Sequence, residues 1–115
     1  MLQQVRTLTQ ADLDAFASLS GDANPIHIDP AFAARSTFGR TVAHGAMLTA
    51  ILRALAAPMI TDRAVIQLAA MFPAPTFADE PIQFTAEALS TSQILLRSVR
   101  LSDSAETCRI VVDLT

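Results

Sequence analysis

An aspartate and a histidine, Asp22 and His27, stand five positions apart in the run Gly21-Asp22-Ala23-Asn24-Pro25-Ile26-His27. The only other histidine is His44, in Ala43-His44-Gly45-Ala46, at the head of a long apolar run. A carboxylate and an imidazole with no nucleophile beside them suit general acid–base work on a water or a substrate proton. The carboxylate can accept a proton from the water while the imidazole orients it or later returns a proton, so the two titrations are coupled. No nucleophile offers itself. Cys108 falls on the apolar side of an alternating run, where a thiol is core and not reactive. Ser20 and Ser36 lack the sharp strand-to-helix turn that exposes a catalytic serine.

Gly45 has chemistry of a different kind. At the first turn of a helix its N–H lacks an intrahelical partner and lies at the positive end of the dipole. With no side chain in the way, a carbonyl oxygen can approach it closely, as in an oxyanion site. Close packing of the helix start against a sheet accounts for the glycine equally well. A metal alternative also exists: His27-x-Asp29 with His44 has the ligand types of a two-histidine, one-carboxylate centre. Asp29 before Pro30 is more simply a helix cap, and no metal is expected.

The elements that must position these residues can be read in order. Leu2 to Arg6 suits a short edge strand. Thr9 and Asp12 read as a capping pair for a helix whose apolar stripe includes Leu13, Phe16 and Ala17. Gly21 ends that helix, since it can take positive φ. Pro25 forces Asn24 out of the α region, so Asp22 to His27 is expected to be a loop stiffened by the Asn-Pro step. Asp29-Pro30 opens a second short helix. His44-Gly45 opens the long one, to about Ala57, with Met47, Leu48, Ile51, Leu52 and Leu55 covering most of its circumference. Such a helix is expected to be enclosed by protein. Pro58 ends or kinks it. From Ala64 onward the period changes to two. Ile82, Phe84, Ala86 and Ala88 alternate with polar residues, as do Cys108, Ile110, Val112 and Leu114. With Ser-rich turns at 90–92 and 102–104, this predicts three or four antiparallel strands in a meander. The fold class is α+β: a sheet with one apolar face closed over one helix.

At 115 residues the chain is one domain, with no repeat or linker. The hydrophobic share of 51% is high for so small a domain, which points to a subunit interface. All eight basic residues are arginines, scattered singly against a net charge of −3. A nucleic-acid surface would need a basic stripe, so no nucleic-acid partner is expected. One cysteine excludes an internal disulfide and a cysteine zinc site, and fits a reducing, cytoplasmic location. Ala46 to Ile60 is too short for a membrane span and contains Arg53 and Pro58. No signal-peptide pattern is present at Met1 to Arg6.

Phe16-Ala17-Ser18-Leu19-Ser20-Gly21-Asp22-Ala23-Asn24-Pro25-Ile26-His27, followed by Asp29-Pro30-Ala31-Phe32-Ala33 and Ala43-His44-Gly45, closely resembles the signature of MaoC-like (R)-specific enoyl-CoA hydratases. The resemblance is strong from about Thr9 to Leu48 and recognisable again at Phe72 to Asp79. It implies a single hot-dog domain over residues 1–115, an antiparallel sheet wrapped round one long central helix, with two subunits joining sheets in a homodimer. It implies that Asp22 and His27 activate water for syn addition across an enoyl thioester, and that the Gly45 N–H polarises the thioester carbonyl. Asn24, His44, Ala46 and Met47 are expected around the substrate. Coenzyme A enters as part of the acyl-CoA substrate, with no separate cofactor. Three departures stand out: Arg53 where some members have serine, Thr41 where proline is common, and Ala78 where glycine is common.

Hydration of 2-enoyl-CoA, or the reverse dehydration, is the function these residues support best. A dehydratase acting on acyl carrier protein and a hot-dog thioesterase are alternatives. A non-catalytic acyl-thioester-binding subunit is a third, suggested by Arg53 and the short chain.

Overall fold

A computed structural model describes all 115 residues. Strand β1 (Leu2–Thr7) leads to helix α1 (Gln10–Ser20), the short helices α2 (Pro25–Ile28) and α3 (Pro30–Ala34), and the long helix α4 (Gly45–Ala56). A 3₁₀ turn over Ala57–Met59 contains Pro58 and closes α4. Strands β2 (Val65–Met71), β3 (Pro81–Ala88), β4 (Gln93–Arg100) and β5 (Glu106–Leu114) follow. The five strands form one antiparallel sheet in the order β1-β3-β4-β5-β2.

The strand alternation places Ile82, Phe84 and Ala86 of β3, Ile94 and Leu96 of β4, and Cys108, Ile110 and Val112 of β5 on one apolar face. Helix α4 lies on that face through Met47, Leu48, Leu52 and Ala56, which all belong to the same core cluster. Leu8 and Leu13 close one end of it. Cys108 is fully buried there, and burial pushes its thiol up to about 11. That is the inert core cysteine its strand position predicts.

Three expectations need correction. The strands are not a plain meander: β3, β4 and β5 are, but β2 crosses to the far side and pairs with β5, leaving β1 and β2 as the two edges. Periodicity reports faces, not neighbours, so it could not place β2. Helix α4 is not enclosed on all sides within one chain. Ala46, Ala50, Arg53 and Ala54 are exposed, and so is β2 from Ile66 to Met71. Arg53 therefore exits to the surface and leaves no buried charge. Lastly, Asp22 to His27 is not all loop. Pro25 ends one conformation and begins another: it occupies the first position of α2, where its missing N–H costs nothing. His27 thus sits on a helical turn.

The other end signals agree with the structure. Thr9 and Asp12 form a reciprocal capping box, and Gly21 takes φ 80° as the left-handed residue after α1. Asp29 Oδ1 accepts from the N–H groups of Ala31 and Phe32 at the start of α3.

Candidate active site

The turn after α1 is built from its own side chains. The Asp22 N–H donates to Ser20 Oγ (3.2 Å), and the Asn24 N–H donates to Asp22 Oδ1 (3.3 Å). Asn24 Oδ1 in turn accepts from the Ile26 N–H (3.2 Å) and caps α2. These short side-chain-to-backbone bonds are what aspartate and asparagine do best in turns. They engage one oxygen of Asp22 and leave the other, Oδ2, free.

That free oxygen lies 3.6 Å from His27 Nε2. His27 Nδ1 is 2.8 Å from the Val42 carbonyl. A carbonyl only accepts, so Nδ1 carries a hydrogen, and in the neutral form of the ring the Nε2 lone pair faces Asp22. In that form two acceptors face each other with no proton of their own to share. Asp22 is half exposed (55% of its side chain) while His27 is nearly covered (13%), so the pair opens to solvent from the aspartate side.

Residues far away in sequence hold His27 in place. The Val42 N–H donates to the Ile26 carbonyl (3.1 Å), so Val42 grips α2 with both backbone groups. Gln10 Nε2 donates to the His27 carbonyl (2.9 Å), and the Thr41 hydroxyl donates to Gln10 Oε1 (2.5 Å). Thr41 thus supplies a hydrogen bond that a proline could not. The segment before α4 is itself pinned by an antiparallel bridge, with Ala43 N–H on the Thr76 carbonyl (2.8 Å) and Ala78 N–H on the Thr41 carbonyl (3.1 Å).

The structure gives His44 a different place from the expected substrate contact. It is 2% exposed and lies behind His27, the two rings stacked at 3.7 Å and 23°. Met47 is also buried, in the core. Ala46 is exposed, and Gly45 is partly open. No hydrogen bond within the chain uses the N–H of Gly45 or Ala46, as the free first turn of a helix requires. Beside Gly45 is a cavity of about 330 Å³ lined by Phe38, Val42, Leu48, Phe72 and Thr76 among others. It reaches Gly45 but not Asp22 or His27. The Phe72 ring packs so closely that a Cβ on Gly45 would stand 3.0 Å from its Cζ.

Asp22, His27 and His44 bring ligand atoms within 4.8 Å of one another. The geometry nonetheless does not suit a shared ion. Stacked rings hold their in-plane lone pairs side by side, whereas a metal needs them to meet at one point about 2.0–2.1 Å from each nitrogen. The ligand set read from the sequence is not brought together: Asp29 caps α3 through Oδ1 and is not among the clustered groups, where Asp22 stands instead.

Sequence reading missed Gln10, Thr41, Val42 and Phe16. Gln10 looks like an ordinary first-turn residue, and Val42 acts through its backbone. Neither role leaves a trace in spacing or composition. Phe16, placed in the α1 stripe, meets His44 edge-on at 4.9 Å.

One antiparallel sheet closed over one helix is the hot-dog fold, and solved structures of that kind superpose closely on this chain. An R-hydratase, PhaJ1, from Pseudomonas aeruginosa matches with a TM-score of 0.85 at 22% identity, covering 97% of this chain and 76% of that one. An (R)-hydratase of A. caviae involved in PHA biosynthesis matches at 0.82 and 24% identity, covering 98% and 91%. Residues 1–106 match the family model described as MaoC like domain, and the chain belongs to that family. Among curated proteins it is 38% identical over 79 residues to the (R)-specific enoyl-CoA hydratase of Aeromonas caviae, a stretch covering 67% of this chain and 58% of that protein. It is 44% identical over 59 residues to 3-hydroxyacyl-thioester dehydratase Z of Mycobacterium tuberculosis, covering 51% and 39%. The matched stretch thus spans little more than half of the first relative and less than half of the second.

The close approach of Phe72 to Gly45 can be tested by stability alone. Alanine in the middle of a helix is favoured over glycine by about 0.5–1 kcal/mol, but at the first position of α4 the new methyl must displace the ring. Gly45→Ala is expected to be less favourable, by about 1 kcal/mol, with Phe72 present than in a Phe72→Ala background. Denaturant unfolding of the four proteins measures this coupling. Equal effects in both backgrounds would contradict the contact.

Proposed function

We propose that the chain hydrates 2-enoyl thioesters of coenzyme A to (R)-3-hydroxyacyl thioesters, and catalyses the reverse dehydration with the same groups. The observation that carries this reading is the facing pair of acceptors, Asp22 Oδ2 and His27 Nε2, 3.6 Å apart. One water can donate a hydrogen to each, which leaves an oxygen lone pair to attack.

In the forward direction the water oxygen bonds to C3 of the enoyl group as the pair removes one of its protons. The C2–C3 π electrons move toward the thioester, and negative charge develops on the carbonyl oxygen. The unpartnered Gly45 N–H is the donor for that charge, at the positive end of α4. The removed proton is returned to C2, so water's hydrogen and hydroxyl add from one side. No metal or separate cofactor is needed in this scheme. Asn24 acts by holding Asp22 and α2, and Ala46 lies beside Gly45 where the thioester would rest. The relatives, a hydratase and a dehydratase by name, support this chemistry in both directions. Arg53, the residue that favoured a non-catalytic chain, is on the surface and does not line the cavity at Gly45. The same groups would serve a thioester on acyl carrier protein, the first alternative. A thioesterase would have to aim the water at the carbonyl.

We propose further that residues 1–115 form one MaoC-like domain that pairs with a second copy through β2 and the open side of α4. An edge strand exposing Ile66 (65%), Leu68 (37%) and Met71 (61%) is the kind of apolar edge that proteins cover.

In a crotonyl-CoA assay that follows loss of the enoyl absorbance, Asp22→Asn is expected to lower kcat by about 10²–10⁴-fold. Its fold and acyl-CoA binding should be retained. Turnover at the parent rate would overturn the mechanism, and release of free thiol without hydration would move thioester hydrolysis to first place. Sedimentation should report a dimer for the parent and a shift toward monomer for Ile66→Glu. A parent that sediments as a monomer would remove the pairing.

A further inference from the structure

His44 is 2% exposed, a polar ring shut away from solvent. Its Nε2 is 2.9 Å from the Asp22 carbonyl. A carbonyl only accepts, so this nitrogen carries the ring hydrogen and donates it. Its Nδ1 is buried without a partner. One flat face lies against His27 at 3.7 Å, and Phe16 meets the ring at 60°. His44 also occupies the cap position of α4, where it makes no side-chain capping bond. That is unusual work for a cap residue, since the cap's polar atoms ordinarily serve the helix's own N–H groups. Here Nε2 is turned onto the Asp22 backbone instead, and the ring face lies on His27.

We propose that His44 is a positioning residue for this pair: its Nε2–H fixes the Asp22 backbone, and its ring fixes the plane of His27. The inference rests on the hydratase reading. Asp22 and His27 reach the site by different routes, one from a half-exposed turn and one from a four-residue helix. Each is too short an element to be rigid alone. The local bonds of Ser20, Asn24 and Val42 fix each residue within its own segment. Asn24 also touches both, donating its N–H to Asp22 Oδ1 and accepting the His27 N–H at its carbonyl (2.9 Å), but it belongs to the same turn. His44 touches both from outside that turn, at the residue before Gly45. The spacing between base, acid and carbonyl donor is thereby tied to one buried ring. The unpartnered Nδ1 is consistent with a ring selected for where it sits, at the expense of one unsatisfied nitrogen.

Two variants separate the roles. His44→Phe keeps a flat ring against His27 and loses the donor. His44→Gln keeps an N–H donor and loses the stacking face. In proteins that remain folded by circular dichroism, each is expected to lower kcat for crotonyl-CoA by about 10²-fold with KM nearly unchanged, because misplacement by about 1 Å costs that much. A purely structural role would lower the folded fraction and leave turnover per folded molecule intact, and that result would overturn the proposal. So would parental kcat in both variants. Nitrogen-15 spectra of histidine-labelled parent protein provide an arm independent of activity. The expected signature is a protonated, exchange-protected Nε2 and a bare Nδ1 at His44, with the His27 Nδ1–H sharp in the parent and broadened in either variant. A rapidly exchanging His44 Nε2–H would overturn the proposal even if the hydratase reading stood. A parent without hydratase activity but with this signature would instead overturn the hydratase reading.

Discussion

A carboxylate oxygen and an imidazole nitrogen, both acceptors when the ring is neutral, are held 3.6 Å apart. Left alone, Asp22 and His27 would rotate apart or satisfy themselves with neighbours. The structure prevents both. Asp22 has one oxygen tied to Asn24, and His27 has Nδ1 tied to the Val42 carbonyl. Each side chain retains one free acceptor, and the free acceptors point at each other. A molecule with two hydrogens to give can bridge them from the open aspartate side, and water is the simplest such molecule.

The rest of the molecule can be understood as what keeps that arrangement fixed. The segment before α4 is bridged to the strand-like run at Phe77, so Val42 has a defined position from which to grip α2. Gln10, at the start of α1, reaches across to the His27 carbonyl and is itself held by Thr41. Behind these lies the sheet, whose apolar face fixes α4 and therefore the place of its first residue, Gly45. Gly45 and the Asp22–His27 pair come from segments more than fifteen residues apart, joined through a polar network that backs onto the core. Buried networks of this kind give a unique geometry only when nearly every member is satisfied. In this one the buried exceptions are Nδ1 of His44 and Oγ1 of Thr76.

Much of this was legible in the sequence, where local chemistry dictates local form. Thr9, Gly21 and Asp29-Pro30 mark helix ends because their side chains or φ preferences act within three or four residues. Alternation gave the apolar faces of β3 and β5. The Asp22-His27 loop stood out because acid, base and Asn-Pro step are unusual together, and because the whole run resembles a known signature. What was not legible depends on the third dimension. The placement of β2 at the far edge is a choice among pairings that all show the same period. Helix α4 looked enclosed because its composition reflects surfaces left open in one chain. His44 read as a substrate contact because it stands next to Gly45, the expected carbonyl donor. Only the ring's actual direction shows it turned inward. Pro25 read as a helix breaker, which it is for the residue before it, while for the residues after it the same ring begins a turn.

The most direct test is a high-resolution crystal structure of the protein alone and with a bound 3-hydroxyacyl-CoA. The account predicts an ordered water within hydrogen-bond reach, about 2.6–3.2 Å, of both Asp22 Oδ2 and His27 Nε2. In the complex the substrate's 3-hydroxyl should take that water's position, with the thioester oxygen on the Gly45 N–H. A direct Asp22–His27 hydrogen bond that leaves no room for water, or a 3-hydroxyl bound away from the pair, would contradict it.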